Sequence, residues 1–289
     1  MKLGFVSAIL DGWTFEEMMD TAAGLGYECV EAACWPQGKA ERRYAGVSHI
    51  DVDNDSREYV NHIHETCKKT GVEISALAYY PNTMDGDFQK REAAIRHLKK
   101  VIAFSEKLGV GMVTTFVGRD QTKSVEENLE AFGRIWPPII RYAEEHGVRI
   151  AIENCPMLFG REQWPGGNNL FTSPALWRKM FDMIPSKNFG INYDPSHFVW
   201  QMMDYIQPIY EFRERIFHVH YKDIKVYPQK LKDVGIMAYP LEYMEPKLPG
   251  LGDVDWGRYV SALTDIGYDG FTCVEVEDRA FEADRERIL

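Results

Sequence analysis

Along the 289-residue chain, short runs rich in Val, Ile, Phe and Tyr alternate with longer stretches whose apolar residues recur at helical spacing. The first pattern suits buried strands and the second amphipathic helices, so the rhythm predicts parallel strands joined by helical crossovers. The strand candidates are KLGFVSAI (2–9), YECVEAAC (27–34), EISALAYY (73–80), MVTTFVG (112–118), RIAIENC (149–155), FGINYDP (189–195), IFHVHYKD (216–223) and FTCVEVED (271–278). Helices are predicted over 14–25, 54–70, 88–108, 124–146, 174–184, 202–214 and 256–266. Eight such strands can close on themselves, and the predicted fold is an α/β (β/α)8 TIM barrel occupying 1–289 as a single domain.

Thr14, Ser124 and Ser173 stand where capping residues open helices, and Gly26, Gly71, Gly109, Gly147 and Gly267 follow five helices at the position that turns the chain back left-handedly. Two segments break the rhythm: MLFGREQWPGGNNLFTS after the fifth strand and IKVYPQKLKDVGIMAYPLEYMEPKLPGLGDVD after the seventh. Both follow strand C-termini, where barrels carry their active-site loops, so both are expected to shape or cover a site. The last helix would fall on AFEADRERIL, which is short for a barrel helix.

Composition is that of a globular chain, with 45% hydrophobic and 27% charged residues. The net charge of -11, from 44 acidic and 33 basic residues, opposes approach to phosphate backbones and anionic membrane surfaces, so no nucleic-acid or membrane partner is expected. No apolar run is long enough to span a bilayer, and Met1 leads directly into LGFVSAIL without a signal-like segment; a cytoplasmic location is expected. Cys29, Cys34, Cys67, Cys155 and Cys273 are odd in number and scattered, which fits a reducing compartment. Cys155 and Cys273 fall on strands with candidate chemistry; the plainest reading of each is a small buried apolar residue.

That chemistry lies at the ends of the last four barrel strands. Glu153 ends IAIE, Asp194 ends GINYD, His220 sits in HVHYKD and Glu275 in CVEVED. Three carboxylates and an imidazole converging on one mouth would repel or titrate unless a cation joined them. Oxygen ligands with one nitrogen suit a divalent ion such as Mn2+, Mg2+ or Co2+, and the absence of thiolates from the set weakens the case for structural zinc. Because residues two apart share a strand face, His218, His220 and Lys222 point the same way, as do Glu275 and Glu277, and parity alone leaves the choice within each set open.

With AIENCPM, NYDPSH, HVHYKD, PGLGDVDW and VEVED in this order at the strand ends, the chain resembles the xylose-isomerase-like sugar isomerase/epimerase family of barrels along essentially its whole length. The resemblance implies that Glu153, Asp194, His220 and Glu275 bind one divalent metal ion, Mn2+ first with Mg2+, Co2+ or Zn2+ as alternatives, and that His197 contacts a carbohydrate substrate. EAACWP, SHIDV, SALAYYPN and TFVGRD are similar to segments of sugar phosphate isomerase/epimerase proteins and would bring Trp35, His49, Tyr79, Tyr80, Asn82 and Arg119 near the mouth. Lys222 joins Trp35, Tyr79, Asn82, Arg119 and His197 as a candidate substrate contact. The ketohexose 3-epimerase branch carries a Glu where this chain has Phe159 and an Arg where it has Val226. The departures shift the expected substrate from a free ketohexose toward a bulkier keto sugar or keto-glycoside, on which Trp35 and Trp164 could stack.

The expected activity is that of a metal-dependent sugar isomerase or epimerase in which Glu153 and Glu275 are catalytic, one removing a proton beside a carbonyl and the other returning one. The same ligands would serve a dehydratase or lyase acting on a related keto sugar or inosose. A non-catalytic sugar-binding barrel would retain the ion without using both carboxylates, and a phosphodiesterase similar to apurinic endonucleases would need a histidine-richer cluster and a basic groove. The large aromatic-rich loops point to a homo-oligomer, a dimer or tetramer.

Overall fold

The computed structural model describes residues 1–38, 44–158, 161, 164–282 and 289. Seven parallel strands follow one another: β1 (Lys2–Val6), β2 (Cys29–Ala33), β3 (Glu73–Ala78), β4 (Met112–Thr115), β5 (Arg149–Glu153), β6 (Phe189–Tyr193) and β7 (Ile216–Tyr221). The chain then forms an antiparallel hairpin of β8 (Asp223–Val226) and β9 (Met244–Lys247), and returns as β10 (Phe271–Val274). β10 pairs with β7 on one side and β1 on the other, closing the eight-stranded TIM barrel that the alternating pattern predicts.

Each expected strand is present, shorter at its C-terminal end by one to four residues than the apolar run that marks it. The excess residues leave the ladder at the barrel mouth, which is why Asp194 and Glu275 stand just beyond β6 and β10. The helices are α1 (Phe15–Leu25), α2 (Arg57–Thr70), α3 (Phe88–Lys107), α4 (Val125–Glu145), α5 (Pro174–Met183), α6 (Ser196–Trp200), α7 (Gln207–Glu211), α8 (Pro228–Val234) and α9 (Trp256–Asp265). Thr14 and Ser124 open α1 and α4 as reciprocal capping boxes with Glu17 and Glu127. Ser173 does not cap: its side chain makes no such bond, and α5 starts instead on Pro174, whose missing N–H costs nothing in the first turn. The five expected glycines follow their helices with φ between +64° and +82°.

Two departures matter for the site. The helix expected over 202–214 is only the single turn α7 followed by a 3-10 turn, and α6 precedes it directly after Asp194. The long segment after the seventh strand is not a plain loop but the β8–β9 hairpin with α8 at its tip. The short helix expected on AFEADRERIL lies mostly outside the described residues, as does Phe159.

Large aromatics such as Phe132, Trp136, Phe171, Trp177 and Phe189 pack between the helices and the outside of the barrel. Inside it, Ala76, Met112, Ala151 and Phe217 form a separate apolar plug. Toward the C-terminal ends of the strands the interior turns polar, with Glu31, Ser75, Asn192, His218 and His220 all buried. Polar groups in such a place must be paired or must serve a ligand.

Candidate functional site

Glu153 is the last residue of β5, Asp194 the first after β6, His220 the fifth of β7 and Glu275 the first after β10. One ligand atom from each lies within 4.8 Å of the other three. Glu153, Asp194 and His220 are buried, whereas 17% of the Glu275 side chain is exposed. The separations are informative: His220 Nδ1 is 3.7 Å from Glu153 Oε1 and 3.4 Å from Glu275 Oε2. Two ligands about 2.0–2.3 Å from a common ion lie roughly 3–3.7 Å apart at octahedral or tetrahedral angles, whereas a good hydrogen bond is shorter. Glu153 Oε1, Asp194 Oδ2 and His220 Nδ1 are buried and make no hydrogen bond, so the donor set fits a divalent cation.

The electrostatics point the same way. Burial disfavours ionisation of Glu153, but the His197 and His220 imidazoles hold its carboxyl well below the usual carboxylate range. Burial likewise opposes ionisation of Asp194, which His197 and Lys222 outweigh. Glu275 is pushed up by burial and by Glu153, against the pull of Lys222. Burial would hold the His220 imidazole neutral, yet Glu31, Glu153 and Glu275 raise it well above its ordinary value. A ring of carboxylates is thus demanding positive charge at one point, which a divalent ion supplies more fully than a proton.

Asn154 and Asn169 hold this geometry from below. The Asn154 amide pairs both ways with the backbone of Asp194, at 2.9 and 2.8 Å, locking the ends of β5 and β6 together. Asn169 donates to the carbonyls of Glu153 (3.0 Å) and Cys155 (2.7 Å). Glu31, on β2, accepts from His220 Nε2 at 2.7 Å, Tyr80 Oη at 2.5 Å and Thr114 Oγ1 at 2.8 Å. Asn154, Asn169 and Glu31 are not among the residues expected from sequence. For Glu31 a signal existed, a lone carboxylate inside the otherwise apolar run CVEAAC.

A cleft of about 980 Å³ opens beside the four ligand candidates, lined among others by Cys155, His197, Trp200, Lys222, Met244 and Glu277. His197, on α6, places Nε2 3.2 Å from Asp194 Oδ2 and 3.6 Å from Glu153 Oε1. Trp200 Nε1 donates to its Nδ1 at 3.4 Å, which leaves the ring proton on Nε2. Lys222 is buried, with Nζ 3.2 Å from Glu275 and 2.5 Å from Glu277.

The structure does not bring the remaining predicted contacts to that place. Tyr79 is buried against Trp35 and His97, with ring centroids 4.8 and 4.6 Å away, in the layer outside the barrel; its neighbour Tyr80 is the one facing in. The Asn82 side chain is occupied by the backbone of Arg119 and Met84, and Arg119 Nη1 donates to Gly166 O. Trp35, Tyr79, Asn82 and Arg119 are absent from the described residues lining the cleft. His49 is a buried link between Ser7 and the Leu10 carbonyl. Trp164 donates to Met237 O, and its ring lies 6.4 Å from that of Trp200.

Closed barrel and strand-end ligand group together describe an enzyme scaffold of the TIM-barrel class with a candidate cation site at its C-terminal mouth. The Xylose isomerase-like TIM barrel family matches residues 19–288, and the chain belongs to that family. It is 27% identical over 300 residues to an inosose dehydratase of Clostridium perfringens, covering 96% of this chain and 90% of that one. In fold it is similar to a zinc-bound IOLI protein, with a TM-score of 0.74, 18% identity and coverage of 98% and 91% of the two chains. It is similar also to the 3-keto-D-glucoside 4-epimerase YcjR of E. coli, with a TM-score of 0.67, 15% identity and coverage of 97% and 95%. The proteins it is similar to thus include both an epimerase and a dehydratase.

Proposed function

We propose that the protein is a divalent-metal-dependent isomerase or epimerase of a keto sugar or keto-glycoside, with Glu153, Asp194, His220 and Glu275 holding one ion, Mn2+ in the first instance. The observation that carries this reading is the group of three buried, unpaired ligand atoms on Glu153, Asp194 and His220, completed by Glu275 beside the cleft. When bound, the ion supplies Lewis acidity that lowers the cost of negative charge on a carbonyl and its neighbouring hydroxyl.

Around the barrel, β6 and β7 separate β5 from β10, so Glu153 and Glu275 reach the mouth from opposite sides of the ligand group. One carboxylate removes the proton from the carbon beside the carbonyl, and the other delivers a proton to the opposite face. His197 Nε2–H faces the same space and can donate to a substrate oxygen. Lys222 ties Glu275 to Glu277 and restricts its rotamer, while also lining the cleft.

A dehydratase is the second reading, favoured by the Clostridium perfringens relative. The two readings diverge after the proton is lost: an isomerase returns one, whereas a dehydratase expels water from the next carbon. Incubating metal-loaded protein in D2O with keto sugars, 3-keto-glycosides and inososes, followed by NMR and mass spectrometry, separates them. The proposal expects deuterium at one carbon and an otherwise unchanged formula. Loss of water with formation of an unsaturated ketone would establish the dehydratase instead, and neither deuterium uptake nor loss of water with any of them would remove both.

A further inference from the structure

A second group of potential ligands, Glu31, His218 and His220, meets the same 4.8 Å proximity as the site above, and its bonding gives it a different role. The Glu31 carboxylate is already occupied. Oε1 accepts from the Tyr80 and Thr114 hydroxyls, and Oε2 sits 2.7 Å from His220 Nε2, a hydrogen-bond length that leaves no room for an ion between them. His218 is also occupied, with Nδ1 3.0 Å from Asn192 Oδ1 and Nε2 3.1 Å from Ser75 Oγ. Asn192 in turn donates to Tyr80 Oη at 3.1 Å and places the same Nδ2 3.0 Å from His220 Nε2, so the set forms one closed network across the barrel interior in which Glu31 Oε2, at 2.7 Å, is the nearer partner of Nε2.

This network has a chemical consequence for His220. A neutral imidazole carries one proton, and the nitrogen that binds a cation must be the bare one. Glu31 is fully buried, and its Oε1 already accepts from two hydroxyls, so Oε2 stands as the acceptor facing His220. As an acceptor it can take only a proton-bearing Nε2, which leaves Nδ1 bare and facing Glu153 and Glu275.

The geometry points to Glu31 as a positioning residue of the cation site: it selects the Nε2–H tautomer of His220, fixes the ring, and raises the basicity of Nδ1 toward a divalent ion. Tyr80 and Thr114 hold Glu31 in turn, so β2, β3 and β4, which supply none of the four ligand candidates, contribute through this carboxylate. The inference rests on the proposed ligand set, but it concerns the ring's protonation rather than the reaction.

The test uses zinc, which is diamagnetic, and protein labelled with 15N at histidine. In the zinc-loaded wild type, the spectrum should show a proton on His220 Nε2 and a coordinated, unprotonated Nδ1. Glu31→Gln keeps an acceptor but removes the charge, and should weaken zinc binding about 10- to 100-fold in a chelator competition, with Glu31→Ala at least as damaged. Coordination through Nε2, or a folded Glu31→Gln variant that binds zinc as tightly as wild type, would overturn the assignment. The wild-type spectrum decides by itself if neither variant folds. Failure of the wild type to bind zinc, manganese or cobalt at all would sink the ligand set and this inference with it, whereas binding with a proton on Nδ1 sinks the inference alone.

Discussion

Glu153 and Glu275 occupy unlike surroundings although both are offered the same task. Glu153 is buried under two imidazoles, while Glu275 is partly exposed and tied to Lys222. Replacing either by Gln keeps a carbonyl oxygen able to ligate and removes the proton acceptor. Turnover in either variant is expected to fall about 10²- to 10⁴-fold, with sugar binding measured by NMR titration changed far less. A loss of only a few-fold in both would contradict proton transfer by these carboxylates. At this scale the sequence was partly legible. Glu153, Asp194, His220 and Glu275 stand out because polar residues at successive strand ends have no other common reason to be there. His220 could be told from His218 only through the family resemblance, and in the structure His218 is the deeper, neutral ring, pushed down to about 4 by burial. Tyr79 and Tyr80 are adjacent, so only one could face inward, and nothing in the run of letters says that β3 presents Tyr80. Asn82 reads as a possible sugar contact, yet its amide is consumed by two loops that the sequence separates by 37 residues.

The element that most shapes the cleft is the β8–β9 hairpin, and a single carboxylate organises it. Asp223 accepts from the backbone N–H groups of Ile224 (2.8 Å), Val254 (3.0 Å), Gly250 (2.9 Å) and Gly252 (3.1 Å), and from Trp256 Nε1 (2.8 Å). This explains why PGLGDVDW follows the hairpin: a Cβ on Gly252 would lie 2.2 Å from Asp223 Oδ1, so only glycine lets the backbone approach. Asp223→Ala strands these donors, of which the N–H groups of Ile224 and Val254 are buried, and is expected to lower stability by about 1–3 kcal/mol, read as a lower urea midpoint at unchanged slope. An unaltered midpoint would show that the loop is held by something else. From sequence the hairpin reads as loop because its strands, DIKV and MEPK, are four residues each and interrupted by charges and a proline, too short for alternation to register. The expected helix over 202–214 fails for a related reason. Pro208 fits only an opening turn, and Asp204 accepts from the N–H of Ile206, so the chain starts afresh just before α7.

At the scale of the whole molecule, the eight-fold alternation sufficed to give the closed barrel because each strand lies buried between core and helices and must read as a continuous apolar run. The site follows from that ring: β5, β6, β7 and β10 are consecutive neighbours because β10 pairs with β7, and its pairing with β1 closes the barrel. The net charge of -11 opposes the approach of polyanions, and no helix among the described residues is long and apolar enough to cross a membrane. The account stands on one ion at one mouth, so its most direct test is anomalous diffraction from crystals of the manganese-loaded protein. It predicts a single peak about 2.0–2.3 Å from carboxylate oxygens of Glu153, Asp194 and Glu275 and from Nδ1 of His220. A peak held by other residues, or these four side chains pointing apart with manganese in excess, would contradict it.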